Sequence, residues 1–281
     1  MSRVWSWRRA AMGTSTSILV GAFIALSSAS SAQIIGLPGQ DRSKPIEINA
    51  EDGIEWRQRD KIYVARGRAR ATQGEVTVHA EVLTAHYREV PGGSTEIWRI
   101  DANGKVRIAA PNQTAHGDDA VYDVAKGLLV LTGKVRLVTE TDRITARDSL
   151  EYWEKRSLAV ARGEAVAIRG DRRLAADVLV AHFKKDRGGA SKVDEIEAFD
   201  NVLISSPEEI VRAEYGTYNV ETGIATLTGS VKITRGDNQL NGARARVNLN
   251  TGVSSIIGGA RGVRGYLSPD KLGKRGKRTD R

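Results

Sequence analysis

The segment Thr132-Gly133-Lys134-Val135-Arg136-Leu137 carries the pattern that decides the fold. After the glycine, charged and apolar residues alternate, so in an extended chain Val135 and Leu137 point to one side and Lys134 and Arg136 to the other. A helix would repeat its apolar residues about every 3.6 positions, and that period is absent. The segment therefore predicts a β-strand that follows a glycine turn and has one apolar and one hydrophilic face.

The same pattern recurs along the chain. The turn position falls at Gly67, Gly104, Gly133, Gly163, Asp200 and Gly229, in steps of 37, 29, 30, 37 and 29 residues. The second and fourth residues after each turn are always apolar, and we expect them to face inward. These residues are Ala69, Ala71, Val106, Ile108, Val135, Leu137, Ala165, Ala167, Val202, Ile204, Val231 and Ile233.

A second strand with a recurring acidic residue lies between these turns. The acids are Asp52, Glu81, Asp118, Asp148, Asp177 and Glu214, and Arg244 stands where a seventh is due. An active site is built once, so carboxylates that repeat with the fold are interpreted as structural. His86 and His182 occupy equivalent repeat positions and are interpreted in the same way.

A longer repeat of 96 residues runs through the chain without gaps. The segment 48–56 aligns with 144–152, 64–67 with 160–163, and Tyr122 with Tyr218. Stacked units of this kind bury a continuous apolar surface. We therefore expect a pair of facing antiparallel sheets, about 10 Å apart, in an elongated roll.

The N-terminus has the features of an exported protein. Arg3, Arg8 and Arg9 precede a short apolar core over residues 18–26, and Ala32 stands where a signal peptidase would cut. The predicted organisation is a signal peptide over 1–32, a flexible leader over 33–44, the repeat domain over 45–265 and a basic disordered tail over 266–281. No later segment is apolar enough to span a bilayer, which needs about 20 residues.

Composition narrows the classes of function. The chain has 281 residues, 43 Lys and Arg against 34 Asp and Glu, and no Cys. The lack of Cys excludes disulfides, thiol nucleophiles and Cys-ligated zinc. The high positive charge is compatible with nucleic-acid binding, but export and the few aromatic residues oppose it. No carboxylate cluster interrupts the repeat and no hydrolase motif occurs, so we expect neither an enzyme, nor a metal, nor a cofactor.

Several segments resemble a known family. The run from Lys44 to Ala50, the run from Thr132 to Leu137, and an acid before an apolar run at Ala80-Glu81 and Arg147-Asp148 resemble the periplasmic lipopolysaccharide-transport A proteins and related OstA-like domains. The resemblance covers about residues 45–265. It implies an all-β fold, an elongated twisted β-jellyroll of stacked antiparallel strands that is open at both ends.

The resemblance also implies a function in the periplasm. Members of the family bridge this compartment and carry lipopolysaccharide from the inner-membrane machinery, through its C component, to the outer-membrane assembly barrel. The apolar strand faces would then shelter acyl chains, since each buried methylene contributes about 0.8 kcal/mol. The predicted lipid-binding residues are Val106, Ile108, Leu129, Leu131, Val135, Leu137, Val202, Ile204, Val231 and Ile233.

The open ends of such a roll predict contacts with other proteins. Unpaired strand edges allow strand addition, and hence head-to-tail self-association and docking of partners. The expected edge segments are 46–56 and 247–266, with Ile46, Ile48, Ile54, Val247, Leu249 and Val253 as docking residues. Two alternatives stay open from the sequence: a structural or adhesive envelope repeat protein, and the membrane-anchored C component of the same pathway.

Overall fold

The computed structural model describes residues 45–186, 191–248, 250–251, 253–260 and 262–268. The predicted signal peptide, the leader and residues 269–281 of the tail lie outside the described residues. The described chain is almost entirely β-structure, with one short 3₁₀ turn at Glu154–Arg156. The strands are β1 (Glu47–Asn49), β2 (Gly53–Arg57), β3 (Ile62–Gln73), β4 (Val76–Glu89), β5 (Thr95–Ala110), β6 (Gln113–Asp123), β7 (Leu128–Thr132), β8 (Val135–Thr139), β9 (Asp142–Ala146), β10 (Ser149–Trp153), β11 (Leu158–Arg169), β12 (Arg172–Lys185), β13 (Ser191–Ser205), β14 (Ile210–Asn219), β15 (Ile224–Arg235), β16 (Asn238–Asn248), β17 (Val253–Ile257) and β18 (Arg264–Tyr266).

Every described strand pairing is antiparallel, and the pairings join the strands into one sheet. Most strands pair with the preceding and the following strand of the chain, as expected for a meander with short turns. The predicted all-β, antiparallel fold is confirmed. The sheet extends to Tyr266, one residue beyond the predicted boundary of the repeat domain.

The recurring glycines are not the turns that the sequence predicts. Gly67, Gly104 and Gly163 lie inside long strands, where the pairing register shifts, for example between Arg66 and Ala69. A shift of this kind is a β-bulge, an extra residue that bends the strand. The hairpin turns lie elsewhere, for example at Gly74 and Gly170. Spacing alone could not separate the two, because a bulge and a turn both favour a glycine with positive φ.

Each bulge contains two successive residues with positive φ. Gly104 has φ +81° and Lys105 has φ +50°. The other bulges with a glycine have the same two φ values within about ten degrees. In one bulge Asp200 and Asn201 take the place of the glycine and the residue after it, and both also have positive φ. The bulges recur on every second strand and, together with the acids of the strands between them, form a continuous line across the sheet, which we call the bulge line. Its members are Gly67 and Arg68, Gly104 and Lys105, Gly133 and Lys134, Gly163 and Glu164, Asp200 and Asn201, and Gly229 and Ser230, with the recurring acids between them.

The bulge line divides the sheet into two halves. In the first half-sheet β2 pairs with residues 62–66 of β3, and in the second half-sheet β1 pairs with residues 70–72 of the same strand. At the other end β17 and β18 pair with separate parts of β16 in the same way. The two facing sheets that the sequence predicts are therefore two halves of one sheet, because the long strands run through the bulge line from one half to the other.

The two half-sheets face each other across a shared apolar core. Leu131 of the first half-sheet and Val135 of the second are 1% and 2% exposed and belong to one cluster of buried residues. All twelve residues at the second and fourth positions after the bulges belong to this cluster or pack against it. Their side chains therefore face inward, as the alternation in the sequence indicates.

Five of the six recurring acids lie over the glycine of a neighbouring bulge, and the sixth, Asp177, accepts a hydrogen bond from Asn201, where no glycine is present. A Cβ atom added to Gly67, Gly104, Gly133, Gly163 or Gly229 would lie closer than 3.0 Å to the side chain of Asp52, Glu81, Asp118, Asp148 or Glu214, respectively. The residue after the glycine often pairs with an acid as well, as in the 2.7 Å contact between Lys105 Nζ and Glu81 Oε1. The acids therefore belong to the bulge line. Glycine is required at these positions because φ is positive and because the acid approaches too closely for a Cβ atom.

We predict that Gly163→Ala lowers the free energy of unfolding by about 2–4 kcal/mol, because it combines strain at positive φ with a collision with Asp148. Gly170→Ala is the matched control, since Gly170 also has positive φ but a Cβ there would meet nothing within 4 Å. It should cost only about 1 kcal/mol. Urea denaturation measures both variants. In an Asp148→Ala background the cost of Gly163→Ala should fall to that of the control, and an unchanged cost would contradict the glycine–acid contact.

Candidate functional site

The ten predicted lipid-binding residues all lie on the inner faces of the two half-sheets. Leu129 and Leu131 belong to the first half-sheet, and the other eight belong to the second. Nine are at most 5% exposed, and Leu137 is partly buried against the core. The structure thus brings the whole set into one interior, although the sequence separates its members by up to 127 residues (Val106 to Ile233).

The sequence analysis missed a row of tyrosines inside the first half-sheet. Tyr87, Tyr122, Tyr152 and Tyr218 are between 4% and 7% exposed and face the same interior. Aromatic residues are few in this chain, and these four occupy the interior between the half-sheets. Two features of the sequence indicated them. Tyr152 alternates with the apolar Leu150, and Tyr122 aligns with Tyr218 in the 96-residue repeat.

The N-terminal end of the sheet holds a small gap between the two half-sheets. A cleft there is lined from both sides by apolar side chains, with Ile48 on β1 and Tyr63 and Leu83 on the facing half-sheet. Trp56 stacks on Tyr63 at a ring distance of 5.7 Å, and its Nε1–H donates to the hydroxyl of Tyr87 at 3.0 Å. The wall of this cleft is therefore apolar and aromatic, and its mouth reaches the edge of the sheet.

The predicted edge residues divide between real edges and the sheet interior. Among the described residues, β1 and β2 pair only with β3, and β17 and β18 only with β16. Ile46, Ile48 and Ile54 line the N-terminal cleft, and Val253 is 65% exposed on β17. Val247 is not at an edge, because it is buried in β16 between β15 and β17. Leu249 lies outside the described residues.

The two repeat-equivalent histidines make equivalent contacts on the outer face of the first half-sheet. His86 Nε2 lies 2.7 Å from Asp101, and His182 Nε2 lies 2.7 Å from Glu197. The hydroxyl of Tyr215 also donates to Glu197 at 2.7 Å. Burial alone would raise the pKa of Glu197, but the hydrogen bonds from Tyr215 and His182 outweigh it and hold the pKa below its usual value.

Burial and the neighbouring carboxylate raise the pKa of Tyr215 to about 12. The two contacts repeat with the fold and tie adjacent strands together, so they have the character of structural pairs. Within the part of the chain that the structure describes, no group of three or more His, Asp and Glu could hold a metal ion. In the same residues no helix is long and apolar enough to cross a membrane.

The chain matches the model of a known family over two segments. The model of the family "LptA/(LptD N-terminal domain) LPS transport protein" matches residues 47–148 and again 143–253. The two matches start 96 residues apart, which is the period of the internal repeat. Together they cover well over half of the 281 residues.

Two individual proteins are similar to parts of the chain. An uncharacterised protein of Rhizobium meliloti (strain 1021) is 27% identical over 135 residues, which are 47% of this chain and 70% of that protein. The crystal structure of LptH, the LptA-homologous periplasmic component of the lipopolysaccharide transport device of Pseudomonas aeruginosa, matches with a TM-score of 0.38 and 20% identity. That match covers 44% of this chain and 85% of LptH.

We predict that Leu131→Ala lowers the free energy of unfolding by about 2–5 kcal/mol, because it removes a side chain that is 1% exposed between the half-sheets. The control is Val130→Ala, which truncates the next residue on the outer face and should cost about 1 kcal/mol or less. Urea denaturation again supplies the comparison. Equal losses for the two variants would mean that the interior is not the packed core of the fold.

Proposed function

Because the chain belongs to the LptA/(LptD N-terminal domain) family of LPS transport proteins, we propose that it binds lipopolysaccharide between its half-sheets and bridges the two membranes of the envelope. The observation that carries the proposal is the continuous apolar interior formed by residues far apart in sequence. Acyl chains of a lipid need such a surface to stay out of water, while the sugars remain in it.

The architecture supports opening of the interior for a lipid. Backbone hydrogen bonds run within each half-sheet, and within the described residues the halves are joined by strands that pass through the bulge line and by packed side chains. Separating them therefore breaks apolar contacts and leaves the hydrogen-bond ladders intact. An acyl chain of about a dozen methylenes would replace those contacts and regain on the order of 10 kcal/mol of burial.

The N-terminal cleft supplies a starting point for entry. Ile46, Ile48 and Ile54 already line a gap between the half-sheets, and the interior continues from there toward Leu131 and Leu227. A lipid that enters at this edge would meet apolar side chains along the whole length of the sheet. Lipid movement then needs no chemical step, so the proposed protein is a carrier without catalytic residues or cofactors.

The proposed setting is the periplasm, with the chain exported by its N-terminal segment. Its proposed partners are lipopolysaccharide, the inner-membrane C component and the outer-membrane barrel, reached through the strand edges at β1, β2, β17 and β18. Two of the edge strands carry exposed apolar side chains, with Ile54 and Trp56 on β2 at 50% and 57% exposure and Val253 and Ile257 on β17 at 65% and 54%. Soluble proteins usually protect such edges, so their exposure here supports strand addition between copies or partners.

We predict that a photo-crosslinking residue at Leu137 gives adducts with lipopolysaccharide in the native host, because Leu137 faces the interior and is only partly buried. Val130 is the control, an apolar residue on the outer face of the other half-sheet, and should give none. Immunoblotting of each adduct for lipopolysaccharide provides the measurement. Equal labelling of both sites, or blank results across all ten inward positions, would refute the proposed lipid path and favour a structural envelope protein.

We predict that the double variant Val253→Lys/Ile257→Lys weakens head-to-tail self-association at least tenfold, because two charges on β17 oppose the addition of another strand. The matched control is Ile168→Lys/Ile210→Lys, which adds the same charge at two outer positions that are 37% and 39% exposed and away from the edges. Sedimentation velocity over a concentration series reports the association constant. Equal weakening by the control would assign the effect to net charge and not to the edge.

A further inference from the structure

The outer face of the second half-sheet carries a row of cationic and imidazole side chains, which we call the basic strip. It consists of Arg70, His79, Arg107, His116 and Arg136, each the direct cross-strand partner of the next. Neighbouring strands lie about 4.8 Å apart, so the strip extends about 19 Å across five adjacent strands. These residues are scattered over 67 positions of the sequence, and only the pairing register aligns them.

Apart from the acids of the bulge line, the described residues of β1–β9 place one carboxylate beside the basic strip on this face, Glu47 on β1. It is the cross-strand partner of Thr72, and it accepts a hydrogen bond from Asn49 Nδ2. The other outward residues of β3–β9 on this half-sheet are uncharged, except for one further arginine: Thr72, Thr77, Ala109, Thr114, Val138, Arg143 and Thr145. Among the described residues, Arg70, Arg107 and Arg136 are all exposed and form no ion pair with a carboxylate. Arg68 and Lys105 on the bulge line differ, because they pair with Glu51 and Glu81.

The pKa values of the two histidines reflect the positive charge of the strip. Partial burial lowers the pKa of His79, and Arg107 and Arg70 on the neighbouring strands lower it further. The pKa of His116 is lowered in the same way, by burial and then by Arg136 and Arg107. At neutral pH the arginines therefore supply the charge, and the neutral imidazoles lie between them as hydrogen-bonding groups.

The second copy of the 96-residue repeat shows that the fold does not require the basic strip. The inward residues keep their apolar character between the copies, as at Val106 and Val202 or Val135 and Val231. The outward residues change their chemistry. The equivalents of Arg70, His79, Arg107, His116 and Arg136 are Val166, Ala175, Leu203, Arg212 and Lys232.

This divergence places an apolar area beside the basic strip on one continuous face. Val166, Ala175 and Leu203 are cross-strand neighbours, and the adjacent Ile168 and Ile210 are 37% and 39% exposed. The arginines of the strip lie on alternate strands, about 10 Å apart. That spacing suits several separate anionic groups better than a single phosphate ion.

We propose that this face of the second half-sheet binds the surface of a membrane that contains anionic lipids. The basic strip meets the lipid phosphates, and the apolar area beside it rests against the acyl boundary, the combination that interfacial proteins use. Nucleic acid fits less well, because the described outward residues of this face on β3–β14 include no aromatic side chain for stacking on bases. The proposal concerns the outer face and does not depend on lipopolysaccharide binding in the interior.

The test is co-sedimentation of the full chain with vesicles of phosphatidylcholine that contain phosphatidylglycerol, with pure phosphatidylcholine vesicles as reference. We expect Arg107→Glu/Arg136→Glu to lower the partition coefficient on the anionic vesicles by about 30-fold or more, since each basic residue near such a surface contributes about a fivefold factor. The matched control is Arg244→Glu/Arg246→Glu, which makes the same change in charge at two exposed positions on the outer face of the first half-sheet. Thermal unfolding establishes that both variants fold.

Strong binding of the wild type and of the control to anionic vesicles, lost only in the strip variant, supports the proposal. Equal loss of binding in both variants would mean that net charge alone causes the effect, and it would overturn the proposal. Equal binding to pure phosphatidylcholine vesicles, or no binding to either kind of vesicle, would also overturn the proposal. Sodium phosphate should release no more protein than sodium chloride of equal ionic strength. A larger release would indicate a site for single phosphate ions and contradict a membrane surface. We expect crosslinking of lipopolysaccharide at Leu137 to be unaffected in the strip variant. The experiments therefore test membrane binding by the outer face and lipopolysaccharide binding in the interior independently.

Discussion

The close contact between a recurring acid and a glycine on the neighbouring strand is the constraint on which the rest of the structure depends. Gly163 has φ +83°, the next residue Glu164 has φ +48°, and Asp148 occupies the space where a Cβ would lie. Residues other than glycine pay about 1–2 kcal/mol for such a conformation, so a strand accepts it only where its neighbours enforce it. Repeated on every second strand, the bulge bends the sheet along one line and turns its two halves toward each other.

This bend explains how a single meander of strands makes an interior. A flat sheet with one apolar face would need a second element to cover it. Here the second half-sheet covers the first, and one strand contributes to both sides of the core, as β5 does with Ala102 before the bulge and Val106 after it. The hydrogen bonds and the core contacts are therefore separate sets of interactions. The core contacts can therefore separate without disturbing the backbone pairing.

The two faces of the sheet are under different constraints. Inward positions keep small and branched apolar residues through both copies of the repeat, because the half-sheets must pack at a fixed distance. Outward positions meet solvent and are free to change, which is why Arg107 in the first copy corresponds to Leu203 in the second. Comparison of the two copies of the repeat thus separates the residues that the fold requires, which are kept in both copies, from residues that only one copy has.

The sequence by itself determined the strands, the direction of their side chains, the duplication and the family, because all of these follow from the spacing of residues along one chain. Val135 and Leu137 could be placed inward from alternation, and the recurring acids could be set aside as structural from their repetition. The tertiary structure alone decided that the glycines bend strands and do not end them, since positive φ is common to both. It also decided which residues lie side by side across strands: Tyr122 beside Leu129 in the interior, and Arg70, Arg107 and Arg136 on the outer face. Such neighbours are set by the register of hydrogen bonds between strands, which depends on the turn geometry and on the packing of the buried face of the folded sheet.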